Sequence, residues 1–408
     1  MTQRSIGPSL AFAAAALASA TSHAVEMTAG DWKFTFSGNV NAHYIYSSCE
    51  DNAPAVAGGL ACVAAAGEDS SSSISNGLLP ASLSLSATTT QSGYDIGVTF
   101  GLYPGISTND GGSPNLGAGP GTNTALGTAG LDVRQVFMTF GNDRMGTFML
   151  GRNIGLFQQD AILFDMTLIG VGAGNGNYAA PSNTSLGSIG LGYIYPDWLA
   201  QINYTTPDLR GVKITVGIFD PLEPVFQGLP TPKGAPGFHG KISYTMPGDM
   251  LYLSAAFLAQ EQEGVTDADD YDSFAWDIGG RFRYGGFEFM AYYYDGSGVG
   301  TTGLFVLSDA GGGNERDSDG FIAQLTYSFG PDERTKVGVN YGESNLDLAS
   351  GELPSALVET NKKYTLGVYH KLTQNLTLVA EFSDLKSEAH NGVENDSSNF
   401  NIGAFLSF

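Results

Sequence analysis

Segments of about ten residues that alternate apolar with polar side chains run through this chain, and the connections between them alternate strictly between short and long. Period two is the signature of a strand with one apolar face. In Ser398 to Phe408, residues Phe400, Ile402, Ala404, Leu406 and Phe408 share one face, with Asn399, Asn401, Gly403 and Ser407 opposite. The pattern recurs at Leu376–Phe382, Phe321–Phe329, Val212–Ile218 and Phe274–Tyr284. A soluble sandwich also alternates, so the connections decide. Tight turns fall at 91–93, 141–146, 207–211, 247–249, 284–286, 331–334 and 373–375. Between them lie glycine-rich or acidic connections near 48–76, 104–130, 153–187, 220–237, 261–273, 296–318, 345–360 and 386–397. Seven short turns interleaved with eight long loops join sixteen strands, with both chain ends on the short-turn side. A transmembrane antiparallel barrel with short periplasmic turns and long extracellular loops has this asymmetry, and a sandwich has no reason for it.

The rest of the sequence agrees with an exported barrel. Past residue 24 no apolar run of about 18 residues is present, so any membrane insertion must use strands. Arg4, the apolar Leu10–Ala18 and the small residues Ser22 and Ala24 read as a signal peptide over residues 1–24, too short for a helical anchor. The remaining domain is then 25–408. The chain has 18 Lys+Arg against 41 Asp+Glu, a net charge of −23, which excludes nucleic acid as a partner. Aromatic residues near strand ends, among them Trp32, Tyr44, Tyr46, Tyr103, Tyr204, Tyr244, Tyr327, Phe329 and Phe408, suit interface girdles. About sixteen strands enclose an aqueous channel, whereas about eight fill their interior with side chains.

Cys49 and Cys62 are most simply a disulfide closing one loop of an exported protein. A metal site would need more ligands, and His43 is the only histidine near them. No HExxH, GxSxG or GxxxxGK[ST] occurs, and the cluster Gly170, Gly172, Gly174, Gly176 lacks the strand-turn-helix setting of a phosphate cradle. No catalytic residue, metal or cofactor is expected. A histidine paired with serine or aspartate at a barrel rim, as in an outer-membrane enzyme, is the alternative to weigh, with an adhesin beside it. The acidic stretches Glu261–Asp272 and Ser308–Asp319 offer oxygen donors for calcium, but solvated outer loops account for them better.

The segment Leu131 to Gly174 carries an Arg-bearing strand, a tight turn at Gly141–Gly146, a strand reaching Gly151-Arg152-Asn153, and then a long loop over about 153–187. In this order of elements it resembles the Gram-negative general porins. The resemblance implies a homotrimer of sixteen-stranded, water-filled barrels in the outer membrane, among its lipid and lipopolysaccharide, whose third loop folds inward. It implies passive diffusion of small hydrophilic solutes and ions. Carried over by position, Arg134 matches the strand arginine at the constriction and Asp165 an acid on the inward loop, with Asp160 a weaker second. The strand of Arg134 alternates poorly, so parity alone does not assign its face; Arg152 has the parity of Phe148 and Leu150, toward the outer face or a subunit interface. The first two strands, Lys33–Tyr46 and Leu78–Thr88, lack the further lumen cations of many porins and place Asn39 and Ser82 there instead. Lys213, Lys241, Asp277, Arg281, Arg283 and Glu381 take the polar parity of their strands and are expected on the lumen wall. With acids concentrated in the long loops and this inner set near balance, the expectation is a weak preference for cations.

Overall fold

The computed structural model describes residues 24–50, 53–62, 69–106, 131–174, 184–224, 233–264 and 266–408. The leader expected over 1–24 lies outside them apart from Ala24, as do Gly176 and most of the connection expected at 104–130. The strands are β1 (Val25–Ala29), β2 (Trp32–Cys49), β3 (Ser70–Ser75), β4 (Ser82–Gln91), β5 (Tyr94–Pro104), β6 (Leu131–Asn142), β7 (Gly146–Ile154), β8 (Trp198–Thr205) and β9 (Val212–Phe219). They continue as β10 (Gly237–Thr245), β11 (Leu251–Gln262), β12 (Tyr271–Tyr284), β13 (Phe287–Ser297), β14 (Asp317–Phe329), β15 (Thr335–Leu346), β16 (Val358–Lys371), β17 (Leu376–Ala389) and β18 (Glu394–Ser407). Neighbours pair antiparallel around the ring, and β18 closes it on β2, Ser407 opposite Asn39. Both β3 and β4 pair with β2, so they are halves of one stave, while β1 pairs with the lower end of β2 beneath the end of β18. The barrel therefore has 16 staves. Among the described residues each stave pairs on both sides, the condition for strands in hydrocarbon, while β1 and β3 pair with β2 alone.

Polarity is inverted relative to a soluble protein. On β2 the buried side chains are Asn39, Asn41, His43, Ile45 and Ser47, polar but for Ile45, and the exposed ones include Val40, Tyr44 and Tyr46. On β18, Asn401 is 0% exposed and Ile402 51%. Apolar groups outside and polar groups inside are what a lipid exterior and a hydrated interior select. Aromatic pairs band the outer surface at two heights. Phe36–Phe408, Phe140–Phe148, Phe148–Tyr204 and Phe287–Tyr327 lie toward the short turns, with Trp276–Tyr293, Phe321–Tyr341 and Tyr364–Phe382 toward the long loops. Tyr103 is a correction: expected in a girdle, it is buried inside, where its hydroxyl donates to Gln135.

Two local departures matter for the interior. The strand expected from Leu78 starts at Ser82, because residues 76–81 leave the wall between β3 and β4. Pro80 has no N–H for a ladder. Asn39 and Asn41 hold the detour by donating to the Pro80 and Leu79 carbonyls at 3.1 and 2.9 Å, and Asn39 also donates to Ser82 Oγ at 2.8 Å. On β6 the register with β5 shifts between Gly101 and Leu102, so that Arg134 has no opposite residue. This bulge puts both Arg134 and Gln135 inside, while Val133 and Val136 remain outside. The poor alternation of that strand is this extra residue.

Candidate functional site

The long connection from β7 to β8 lies against the inner wall. After Gln158, whose φ of +60° turns the chain, it forms α1 (Gln159–Phe164) and a 3-10 turn over Met166–Ile169. Gln158 N–H donates to Asp277 on β12 at 2.7 Å. Asp160 accepts from Lys241 Nζ on β10 at 3.0 Å and from the Tyr252 hydroxyl on β11 at 2.8 Å. Gln324 on β14 accepts from Met166 N–H and donates to the Phe164 carbonyl. Glu381 on β17 accepts from the Val171 and Gly172 N–H groups at 2.8 and 2.9 Å and from the Tyr369 hydroxyl at 2.6 Å. On the far side, Leu78 and Leu79 of the detour donate to the Gly170 and Leu168 carbonyls. Five wall residues and two detour residues thus anchor the segment across the barrel interior. A side chain on Gly170 would overlap the Glu381 carboxylate, which is why glycine stands there.

Apolar packing fixes the same segment. Ala161 and Ile162 of α1 join Ile154, Ile189, Tyr193, Trp198, Met290, Tyr292 and Ile322 in one buried cluster. Phe157, Ile194 and Leu199 meet Val299, Leu304 and Phe305 from the connection between β13 and β14 in another. That second connection also reaches inward, its Thr302 carbonyl accepting from Tyr195 N–H at 2.8 Å. The first long connection does likewise. Cys49 and Cys62 are disulfide-bonded, with Cα atoms 5.7 Å apart. Beside them Leu60 N–H donates to Asn361 on β16 at 3.0 Å and Ala61 N–H to Ser387 on β17 at 3.0 Å. Ala61 also joins Ala173 and Leu191 of the long loop in a third cluster.

The charged residues singled out from the sequence fall into separate groups. Arg134 is 4% exposed; its Nε lies 2.7 Å from Asp132, and its guanidinium stands 5.0 Å from the Tyr103 ring and 5.8 Å from that of Trp198. Asp165 is buried, accepts from Thr167 N–H and Oγ1 and from the Tyr193 hydroxyl at 2.9 Å, and so caps the 3-10 turn. Arg281 and Arg283 share Asp249 of the β10–β11 turn, Arg283 also bonds Glu288, and the Arg281 guanidinium lies 4.5 Å from the Phe164 ring. Lys213 takes the inward register on β9, toward the short turns. Arg152 shares the outer face with Val136 and Ala200, as its parity implies.

Several side chains at this site escape sequence reasoning. Lys363 on β16 is 1% exposed and donates to the Gly187 carbonyl at 2.6 Å and Ser188 Oγ at 2.9 Å. Its polar parity in an alternating strand was the available signal. Gln324 had the same signal, whereas nothing local named the partners of Asp132, Tyr252 and Tyr369: Arg134 sits on the bulge, Asp160 is 92 residues from Tyr252, and Glu381 meets Tyr369 across the β16–β17 pairing. Among the histidines, His239 bonds Asn203 at 2.8 Å, His370 bonds Thr335, and neither His43 ring nitrogen has a hydrogen-bond partner among the described residues.

The barrel is closed and polar inside, with an inward loop hydrogen-bonded around its wall. A family profile described as Gram-negative porin matches residues 9–390. The chain belongs to the Gram-negative porins. This porin is similar in fold to the outer membrane channel DcaP of Acinetobacter baumannii, at 15% identity over 94% of this chain and 99% of that one, with a TM-score of 0.70. OmpF of Salmonella typhi, solved in complex with daunomycin, aligns at 11% identity over 94% and 100% of the two chains, TM-score 0.59. The trimer form of OmpT of Vibrio cholerae aligns at 13% identity over 93% and 100%, TM-score 0.53. No curated protein matches the sequence. The porin is an outer-membrane, multi-pass β-barrel.

Proposed function

We propose that this porin is a homotrimeric pore for passive diffusion of small hydrophilic solutes and ions, narrowed by the β7–β8 loop, with a weak preference for cations. The observation that carries the reading is the loop itself: its backbone and acids are bonded to inward side chains from β10 to β17, across the bore rather than above it. Membership of the porin family supports a channel rather than an enzyme, and the trimer form of the similar OmpT supports the assembly state. Arg134, Asp160 and Asp165 form the constriction region in this reading, and Lys213, Lys241, Asp277, Arg281, Arg283 and Glu381 the surrounding wall.

The cation preference is weak for a stated reason. Asp160 is paired with Lys241 and Arg134 with Asp132, while Asp165, Asp277 and Glu381 accept from neutral donors, so the field across the bore is partly compensated. The acidic balance of the long loops remains and acts within a Debye length of about 8–10 Å. Residues 1–24 act as a cleaved leader in this account; β1 starts at Val25, and intact-mass measurement should find that residue at the mature terminus. Planar-bilayer recording tests the function. Discrete conductance steps grouped in threes are expected, and a folded, membrane-inserted protein without steps would overturn it.

A further inference from the structure

The inner wall near the short turns has a different electrostatic character from the rest of the molecule. Register places Lys213, Arg281, Arg283, Lys336 and Lys371 on the inward face. Each is within a few residues of a short turn, the periplasmic end of a barrel of this design. Arg283 and Lys371 are exposed, and Lys336, Lys213 and Arg281 partly so, in contrast to the buried inward side chains higher up, such as Lys363. Between β12 and β16, on strands about 4.8 Å apart, bases stand on β12, β15 and β16, with Glu288 on β13 and Ser328 on β14 between them. Glu288 is the inward acid among them, and Asp249, Asp332 and Glu333 are acids of the adjoining short turns; Arg281 and Arg283 engage Glu288 and Asp249, and Arg334 pairs with Asp332. Lys336 and Lys371 are in no ion pair among the described residues, and Lys336 Nζ instead stands 4.7 Å from the Tyr369 ring. Across the bore, β4 and β5 present Ser84, Ser86, Thr88 and Thr99, with Asp95 at the turn. This stretch of wall lies directly beneath the inward loop, because Arg281 stacks on Phe164 of α1.

We infer that the periplasmic vestibule is a binding basin for small multivalent oxyanions, resting on the channel reading above. Lys336 and Lys371, neither within ion-pair distance of a described carboxylate, stand beside an arginine pair in a concave wall and attract an anion that can bridge them, while the acidic extracellular end repels the same anion. The basin is therefore accessible from one side. Its chemistry suits phosphate-like or polycarboxylate groups rather than monovalent chloride, since charge-assisted hydrogen bonds from several lysines need an acceptor with several oxygens.

The test uses the assembled porin in a planar bilayer in 0.1 M KCl, with inorganic pyrophosphate added to one side at a time. Addition on the periplasmic side should reduce the current in a voltage-dependent manner, with little effect from the extracellular side, and higher KCl should weaken the block. Lys336→Gln with Lys371→Gln should raise the half-blocking concentration about tenfold, through loss of two nearby charges. Lys336→Arg with Lys371→Arg should retain the block. Equal block from both sides, or unchanged block in the glutamine variant at normal conductance, would overturn the inference alone. Absence of any conductance in the unaltered protein would overturn the channel reading and this inference with it.

Discussion

Arg134 and Arg281 both lie on the inner wall, yet their removal should have very different consequences. The Arg134 guanidinium is enclosed by Asp132, Tyr103 and Trp198. Arg134→Gln leaves Asp132, 0% exposed, without its cation. Breaking a buried pair in this way costs about 3–5 kcal/mol. Arg281 shares Asp249 with Arg283, which remains to hold that exposed acid, so Arg281→Gln should cost about 0–1 kcal/mol. Thermal unfolding in detergent should show a much lower Tm for the first variant than for the second; equal shifts would contradict this assignment. In the outer loops, Arg316 donates two hydrogen bonds to Glu352, at 2.8 and 2.6 Å, and that bonding holds the carboxyl below the usual glutamate range. A carboxylate depressed on folding adds stability above its unfolded value, about 4.3, and loses it as pH falls through the lower folded value. Limited pepsin digestion, with each rate normalised to that of an unfolded substrate at the same pH, should therefore cut near 345–357 more readily at pH 3 than at pH 5. Equal cutting at both would argue against the tie.

Among elements, the loops do most of what distinguishes this barrel. The strands and short turns were legible because period two and the Gly, Asp and Pro turn residues are local properties, as Asn399–Ser407 against Phe400–Leu406 illustrate. The stave broken at Gly77–Pro80 was not, since its detour is stabilised by Asn39 and Asn41, whose polar side chains matched a lumen face equally well. Arg134 was placed by family position, but its partner Asp132 and its burial depend on a one-residue bulge that no alternation rule anticipates. Asp160, Asp165 and Glu381 were expected as inner acids from family position and parity; partners such as Tyr193, Lys241 and Val171 lie 28 to 210 residues away along the chain. The disulfide offers an element-scale test. It closes a loop with a sequence separation of 13. Cys49→Ser with Cys62→Ser should cost about 3 kcal/mol at most, and the barrel should still insert. The loss should appear as faster proteolysis between 50 and 69 at nearly unchanged strand content by circular dichroism. Failure to insert would show that the bond is required for assembly.

At the scale of the whole molecule, charge and bore are set by different parts. Net charge is −23, and acids of the long loops dominate it, whereas the acids around the inward loop are hydrogen-bonded and the periplasmic wall is basic. Reversal potentials in a KCl gradient should show modest cation preference at low salt that fades as salt rises; clear anion selectivity at low salt would mean that the basic wall governs permeation. The bore should depend on the segment from α1 through the 3-10 turn, which bonds the wall at Lys241, Tyr252, Asp277, Gln324 and Glu381. Single-channel conductance of the intact porin and of a variant lacking several residues within 160–170 tests this most directly. The variant, verified as a folded trimer, should conduct more per step than the intact protein; unchanged conductance would contradict an inward loop that sets the width of the pore.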